Sequence, residues 1–162
     1  MALKGPREGE RFMREAVREA RKNLGRAHGG PFGACIVKDG HVLAVARNTV
    51  LRHDATCHAE VNAIRKASKK TGTFDLSGCE IYSTTEPCPM CFGAIHWARI
   101  DAVYYGTDIR DAAEAGFHEL RISNETMRAL SKSRIKLVPG VMRSECLELF
   151  RAWVALPDKT SY

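Results

Sequence analysis

The sequence contains no apolar run that approaches the roughly 20 residues needed to span a bilayer. The first ten residues lack the apolar core of a signal peptide and carry charged side chains instead, among them Lys4 and Glu10. No internal repeat, low-complexity tract or interdomain linker divides the 162 residues. We therefore expect one globular domain over residues 1–157, in a soluble cytoplasmic protein without a membrane partner.

The sequence also lacks a cysteine pattern typical of disulfide-rich domains. Of its six cysteines, Cys88 and Cys91 form a Cys-x-x-Cys pair, and no second pair is present to complete a structural zinc knuckle. An isolated pair of this kind is typical of metal binding in a reducing compartment. The apolar surroundings of Cys35, Cys79 and Cys146 predict buried, inert thiols.

A strong charge of one sign is likewise missing. Lys and Arg number 25 against 19 Asp and Glu, a formal net charge of +6. Such a charge tolerates a polyanionic partner but does not require one. The N-terminal charges alternate with apolar residues on one amphipathic helix, which needs only solvent, so we do not expect a nucleic-acid partner.

Hydrophobic periodicity predicts a layered α/β domain. Apolar residues recur at helical spacing from Glu10 to Leu24, and two apolar runs flank Asp39-Gly40, a strong hairpin signal. A last helix is predicted to start at a Ser144 cap and to end at Pro157. Further helices are expected over 59–70, 88–98 and 124–130, strands over 32–37, 42–46, 80–84, 102–105 and 135–138, and a loop over 108–115.

Two short motifs carry the chemistry. His58, Cys88 and Cys91 supply one imidazole and two thiolates, which zinc prefers, and three protein ligands leave the fourth position for water, as in catalytic sites. Glu60, two residues after His58 in the first turn of a helix, would lie near the ion without binding it and could move a proton. Cys57 adjoins a ligand, but neighbouring residues rarely turn to the same metal, so we do not expect it to bind.

The order His58-Ala59-Glu60 followed by Pro87-Cys88-Pro89-Met90-Cys91 resembles the signature of zinc-dependent base and nucleoside deaminases. The resemblance implies the cytidine deaminase-like fold, with three layers and a central mixed five-stranded sheet flanked by helices. It also implies one Zn²⁺ per subunit, held by His58, Cys88 and Cys91, with Glu60 as the catalytic proton shuttle.

Within that superfamily the chain is similar to the bacterial guanine deaminases. The similarity rests on Gly30-Pro31-Phe32-Gly33-Ala34, Asn48, the segments 86–95 and 97–99, and Asp111-Ala112-Ala113-Glu114-Ala115-Gly116-Phe117. It implies hydrolysis of guanine to xanthine and ammonia in purine metabolism. The substrate contacts that it implies are Phe32, Asn48, Ala59, Trp97, Glu119 and Tyr162.

The resemblance gives Glu119, an acid shortly after Gly-Phe, the role of reading the edge of the base. Guanine presents a ring N–H beside its amino group, so one carboxylate can accept two parallel hydrogen bonds. Adenine and cytosine present an acceptor beside the amino group. A buried Glu119 would therefore favour guanine. In the resembling family the C-terminal segment is exchanged between the subunits of a homodimer, which implies that residues 153–162 carry Tyr162 into the partner's pocket.

Other interpretations remain open from the sequence. A tRNA adenosine deaminase shares the zinc signature, and guanosine and cytosine deaminases share the chemistry, guanosine being the hardest to exclude. A catalytically silent zinc fold that serves as a binding module is the alternative outside enzymes. Phe32 and Trp97 could be core aromatics and Glu119 a solvated charge. The histidines outside the motif are expected at the surface (His28, His41, His53) or near the pocket (His96, His118).

Overall fold

The computed structural model describes residues 6–162, so the start of the charged N-terminal segment, including Lys4, lies outside the described residues. The helices are α1 (Pro6–Arg21), α2 (Ala59–Thr71), α3 (Pro89–Trp97), α4 (Ile109–Glu114), α5 (Asn124–Ser131) and α6 (Arg143–Val154), with a 3₁₀ turn (Lys22–Gly25) after α1. The strands are β1 (Gly33–Lys38), β2 (His41–Arg47), β3 (Cys79–Thr85), β4 (Ala102–Thr107) and β5 (Lys136–Val138). Within residues 6–162, every helix is too short or too polar to cross a membrane.

The strands form one mixed sheet in the order β2-β1-β3-β4-β5. β1 pairs antiparallel with both β2 and β3, whereas β3, β4 and β5 run parallel. Asp39 and Gly40 form the β1–β2 turn with positive φ values of 49° and 75°, as the hairpin signal predicts. The predicted five-stranded mixed sheet is thus confirmed.

Helices cover both faces of the sheet. Successive residues of its central strands point to opposite sides, and because both sets are apolar, both faces are buried. Ala34 and Ile36 of β1 pack on the side of α2 and α3, together with buried alanines of α2 and Ile95 of α3. Cys35 and Val37 pack on the other side against α1 and α6. The three-layer α/β architecture predicted from the sequence is therefore present.

The topology brings two helix starts to the same end of the sheet. The loop after β2 leads into α2 through His58 as the N-cap, and the loop after β3 leads into α3 through Cys88 as the N-cap. Pro89 occupies the first turn of α3, where its fixed φ and missing N–H suit a helix start. Each of these caps is one of the predicted metal ligands.

The segment 108–115, predicted as a loop, contains α4, so that prediction is wrong. Asp108 caps the helix by accepting hydrogen bonds from Arg110 N and Asp111 N, and Asp111 accepts in return from Asp108 N. This reciprocal pair of side chains gives hydrogen-bond partners to N–H groups of the first turn, which have no partner within the helix itself. Six residues are too few to show a helical period.

The predicted Ser144 cap of the last helix is also wrong. α6 begins at Arg143, and its N-cap is Met142, which adopts a left-handed conformation with φ 51° and makes no side-chain capping bond. Arg143 instead pairs with Asp111 through two hydrogen bonds of 2.6 and 2.9 Å. A tertiary ion pair between α6 and α4 therefore marks this helix start.

Candidate active site

Three side chains converge where α2 and α3 begin. The ligand atoms of His58, Cys88 and Cys91 all lie within 4.8 Å of one another. His58 Nδ1 lies 3.6 Å from Cys88 Sγ and 3.5 Å from Cys91 Sγ. With bonds of about 2.1 Å to nitrogen and about 2.3 Å to sulfur, a tetrahedral zinc separates these atoms by about 3.6 Å. The three residues therefore fit zinc in both chemistry and spacing.

The two thiols contact each other, and their pKa values are shifted in opposite directions. A hydrogen bond from Cys91, together with contacts to His58, lowers the pKa of Cys88 to about 4. The pKa of Cys91 is raised, first because it donates to Cys88 and then because it is buried. A dication among the three ligands favours the thiolate form of both cysteines. The free N–H groups at the two helix starts favour negative charge at the same place.

Glu60 lies beside these ligands without being one of them. Its side chain is buried on the first turn of α2, and burial raises the pKa of its carboxyl group. Ser83 Oγ lies 2.9 Å from Glu60 Oε1, and Glu60 Oε2 lies 3.5 Å from Cys91 Sγ. Ser83 Oγ also lies 2.7 Å from Thr85 O, so its single proton is shared between that carbonyl and Glu60 Oε1. One carboxylate oxygen thus contacts the sheet while the other faces the ligand cluster.

A cavity of about 400 Å³ opens in front of the ligand cluster. Its walls come from the loop after β2, the loop after β3, the segment after α4 and the chain end. Besides His58, Glu60 and Cys88, the lining residues are Phe32, Asn48, Val50, Ala55, Thr85, Glu86, Met90, Phe117, His118, Glu119, Leu120 and Tyr162. A space of this size accommodates a small planar heterocycle.

Most of the predicted substrate contacts lie in this cavity. Phe32 packs edge-on against Phe117, with the ring centroids 4.8 Å apart. Glu119 is partly buried, and burial together with the nearby Cys88 thiolate raises the pKa of its carboxyl group to about 7. His118 also lines the cavity, as predicted.

Tyr162, the last residue, reaches into the cavity of its own chain. Its hydroxyl group accepts a hydrogen bond from Gly30 N at 2.8 Å and donates one to Asn48 Oδ1 at 2.7 Å. Val50 N donates to the same Asn48 oxygen at 3.0 Å. Because Asn48 Oδ1 accepts both bonds, its Nδ2 is left to donate.

Two predicted contacts lie elsewhere. Trp97 is 78% exposed at the C-terminal end of α3, with its ring against His96, and it does not line the cavity. The start of α3 faces the cavity, and eight residues of helix carry Trp97 about 12 Å away from it. Ala59 is fully buried between His58 and Glu60 and does not line the cavity either.

Cys57 turns away from the ligand cluster. Its thiol contacts Asp54 Oδ2 at 3.6 Å and receives a hydrogen bond from Arg65 Nη1 at 3.3 Å. The remaining cysteines, Cys35, Cys79 and Cys146, are buried free thiols whose pKa values are raised by burial, as expected for inert side chains.

Sequence reasoning missed three residues that support the site. Ser83 holds Glu60, as described above. Glu86 accepts backbone hydrogen bonds from Asn124 N at 2.7 Å and Ile109 N at 3.3 Å, and Asn124 Nδ2 donates to Pro87 O at 2.5 Å. These contacts tie the ligand-bearing loop to the starts of α4 and α5. Glu86 stands inside the Cys-x-x-Cys motif region, but nothing in the sequence marks Asn124 as its partner.

Comparison with known families agrees with this geometry. The model for the cytidine and deoxycytidylate deaminase zinc-binding region matches residues 6–107, which include all three ligands and Glu60. The chain belongs to this family of zinc-binding deaminases. A curated guanine deaminase of Bacillus subtilis (strain 168) is 44% identical to this deaminase chain over 154 residues, covering 94% of it and 98% of the relative.

Other members of the deaminase family are also similar. A tRNA-specific adenosine deaminase of Bacillus subtilis (strain 168) is 33% identical over 138 residues, covering 85% of this chain and 83% of the relative. The solved guanine deaminase from Nitrosomonas europaea superposes with a TM-score of 0.84 at 29% identity, covering 96% of this chain and 88% of that one. A solved complex with 8-azaguanine gives a TM-score of 0.83 at 30% identity, covering 91% and 85% of the two chains.

Proposed function

We propose that this protein is a guanine deaminase, which hydrolyses guanine to xanthine and ammonia. The observation that carries the proposal is the carboxyl group of Glu119 in the same cavity as the zinc ligands and Glu60. The near full-length similarity to the Bacillus guanine deaminase and the structural similarity to the 8-azaguanine complex support it. The presence of Glu60 favours an enzyme over a silent zinc-binding module.

The reaction adds water at the carbon that bears the amino group. When bound, Zn²⁺ supplies a Lewis acid that makes water nucleophilic near neutral pH. Glu60, buried beside the ligands, accepts the proton that water loses and delivers it to the adjacent ring nitrogen. The added hydroxyl group then gives up its proton, which Glu60 passes to the amino group; the C–N bond breaks, ammonia leaves, and the planar ring of xanthine is formed. Ser83 fixes Glu60 Oε1, so that Oε2 remains available for this transfer.

The cavity walls select and orient the base. Glu119 in its ionised form accepts the ring N–H and the amino N–H of guanine together, which adenine and cytosine cannot offer. Asn48, whose Oδ1 is occupied by Val50 and Tyr162, donates through Nδ2 to an acceptor on the opposite edge. Phe32 provides an aromatic surface for the purine plane.

Residues 153–162 are relevant to two further properties, the assembly of subunits and the size of the substrate that the cavity admits. We infer a homodimer in the cytoplasm, in which residues 153–162 of one subunit make the Tyr162 contacts in the pocket of the other. Gly30 and Asn48 contact the hydroxyl group of Tyr162, and the Tyr162 side chain of either subunit could make these two contacts. Trp97 and Met90, apolar and exposed on α3, support a second subunit against that helix. In either arrangement Tyr162 narrows the space that a ribose would need, which favours the free base over guanosine.

A substrate panel tests the proposal. Zinc-loaded protein is incubated with guanine, guanosine, cytosine or a tRNA anticodon stem-loop, and released ammonia is measured for each. We expect ammonia from guanine, with a kcat/KM at least about a hundredfold above that for cytosine and the stem-loop, because an unpaired buried carboxylate rejects the wrong edge. Guanosine presents the same edge as guanine, and we expect a lower kcat/KM for it because Tyr162 narrows the space for the ribose. Turnover of the stem-loop instead would overturn the guanine assignment in favour of the tRNA-specific relatives.

A further inference from the structure

A cluster of positive groups lies outside the active site, on the outer side of the loop between β2 and α2. His28 is at its centre. Its Nδ1 lies 3.3 Å from Arg47 Nη2, and its Nε2 lies 3.3 Å from Arg52 Nη1. Arg26 adds positive charge near the same ring, and His53 lies close to it. We call His28, Arg26, Arg47, Arg52 and His53 the His28 cluster.

The His28 cluster holds more donors than acceptors. A neutral imidazole accepts a hydrogen bond at one nitrogen and carries a proton on the other, so it can satisfy one of the two guanidinium groups and faces the second with an N–H. Partial desolvation and the charges of Arg52, Arg47 and Arg26 lower the pKa of His28 and so favour the neutral ring. The imidazole therefore accepts from only one of the two guanidinium groups, and the other is open to a different acceptor.

The acidic groups nearby do not balance these cations. Glu19 accepts hydrogen bonds from both Arg47 Nη1 at 2.7 Å and Lys22 Nζ at 2.5 Å, so one carboxylate is shared by two cations. Arg47 Nε is buried and has no hydrogen-bond partner among residues 6–162. Asp54 accepts at Oδ1 from the N–H and hydroxyl groups of Thr56, and its negative charge interacts with Arg65, so one further carboxylate stands against the cations of this surface.

A surface depression of about 320 Å³ adjoins the cluster. Arg47 and His53 of the cluster line the depression. Arg65 and Lys66 from α2 line it as well and add two cations, and its acidic lining residue is Glu19. The depression is separate from the catalytic cavity: Asn48, Val50 and Ala55 of the same loop line that cavity from the inner side. Leu51 N donates to His28 O at 3.0 Å, which fixes the loop against His28.

We propose that the His28 cluster and the adjoining depression bind a phosphate group. A phosphate carries up to two negative charges at neutral pH and presents oxygen acceptors in several directions, which suits guanidinium forks that approach from different sides. The group could be a free or nucleoside monophosphate or part of a nucleic-acid backbone, since the chemistry at the oxygens is the same. The site is distinct from the guanine pocket and does not depend on turnover there.

The test uses the zinc-loaded protein and NMR signals of the His28 imidazole. Inorganic phosphate is added at constant ionic strength, with chloride as the matched salt. We expect saturable shifts with phosphate and none with chloride. Arg52→Ala, an exposed substitution, should weaken phosphate binding about fivefold because it removes one exposed cation. Arg134→Ala removes an exposed arginine outside the cluster and the depression and should leave the affinity unchanged.

Two further ligands distinguish the sources of the phosphate group. Uridine monophosphate and a short oligouridylate both lack guanine, so neither is a substrate for the proposed reaction. Equal, Arg52-dependent binding of both points to a single phosphate group as the ligand. Much tighter binding of the oligouridylate, with a salt dependence that Arg52→Ala reduces, points to a nucleic-acid backbone. Shifts that are equal in phosphate and chloride, or an Arg52→Ala variant that binds as well as Arg134→Ala, would overturn the proposal.

Discussion

At the scale of single residues, three carboxyl groups line one cavity, and their surroundings differ. Glu60 has one oxygen held by Ser83 and the other near Cys91. Glu86 uses both oxygens to accept backbone N–H groups, so it is structural. The carboxyl group of Glu119 has a pKa raised to about 7 and faces the space for the base. Hydrogen bonds thus fix Glu60 and Glu86 in different ways, and under the proposed function the three acids serve proton transfer, anchoring and recognition in turn.

The first prediction concerns Ser83 as a positioning residue. Ser83→Ala removes the contact with Glu60 Oε1, and we expect kcat to fall about tenfold, with KM and zinc content unchanged, because a hydrogen bond to a charged group is lost. Ser83→Thr retains the hydroxyl group and should restore most of kcat. Steady-state kinetics with metal analysis measure both. A fall in zinc content, or no rescue by threonine, would contradict a positioning role.

The second prediction uses the pKa of Glu119, which burial raises to about 7. Below that pH the carboxyl group gains a proton and can no longer accept two hydrogen bonds, so guanine binding should weaken as pH falls. In the inactive Glu60→Ala variant, calorimetry should find guanine bound about tenfold more weakly at pH 6 than at pH 8. Glu119→Gln should bind weakly and equally at both pH values. A pH dependence that persists in this variant would assign the effect to another group.

Local spacing makes some of these residues predictable and leaves others hidden. His58, Glu60, Cys88 and Cys91 stand in two short motifs, so their types and order are sufficient to predict a zinc site. Ser83 is a common residue in a buried strand, and its contact with Glu60 arises only when β3 packs beside α2. The position of such a partner depends on tertiary structure, which a single sequence does not display.

At the scale of elements, the loop that carries Cys88 is tied to two helices that lie later in the chain. Asn124, fully buried at the start of α5, donates through its side chain to Pro87 O and through its backbone to Glu86. The N-terminal turn of α4 gives Ile109 N to the other Glu86 oxygen. The positions of Cys88 and Cys91 therefore depend on α4 and α5, although neither helix contributes a ligand.

The third prediction tests this connection. Asn124→Ala leaves the buried Pro87 carbonyl without its donor, and we expect a loss of about 1–3 kcal/mol in the free energy of unfolding. Zinc should also dissociate faster to a chelator, because the loop before Cys88 loses its anchor. Ala129→Ser, an exposed change on the same helix, serves as the control. Unchanged zinc release in Asn124→Ala would separate α5 from the metal site.

Element types were more predictable than element ends. The strands and the helices that carry the motifs lie where periodicity indicates. The errors are at α4 and at the start of α6, where an Asp108–Asp111 capping pair and an Arg143–Asp111 ion pair decide the structure, and at the end of α6, which stops at Val154 and not at Pro157. Short helices that depend on such contacts show no periodic signal in the sequence.

At the scale of the whole molecule, the active site depends on close contact between the sheet and the helices on its two faces. α1 lies so near to β1 that a Cβ atom on Gly33 would be 2.1 Å from Ala16 O. Gly33 N in turn donates to Thr84 Oγ1 of β3, which leads into the Cys88 loop. Packing on the face away from the metal ligands thus sets the position of the strands that carry them.

The fourth prediction follows from that contact. Gly33→Ala forces α1 and β1 apart, because the conflicting atom belongs to the backbone, and should cost about 1–3 kcal/mol of stability. Gly25→Ala, where no atom lies within 4 Å of the added Cβ, should change stability little. Urea unfolding of the two variants measures the difference. Equal stability would show that α1 can move without cost.

The overall fold could be predicted because strand and helix periods alternate along the chain and the motifs fall at helix starts. The place of Trp97 could not, since its distance from the pocket depends on the length and direction of α3. In the proposed dimer, Trp97 and Tyr162 contact a second subunit. A single sequence gives no direct signal for contacts between subunits.

The most direct test of the account is guanine turnover by zinc-loaded protein beside the Glu60→Gln variant. Glutamine preserves the shape of the side chain and its contact with Ser83 but cannot accept and return a proton. We predict that both proteins bind one zinc per chain, that the native protein converts guanine to xanthine, and that the variant is slower by at least about a hundredfold. No conversion of guanine by the zinc-loaded native protein, or equal rates for both proteins, would contradict the account.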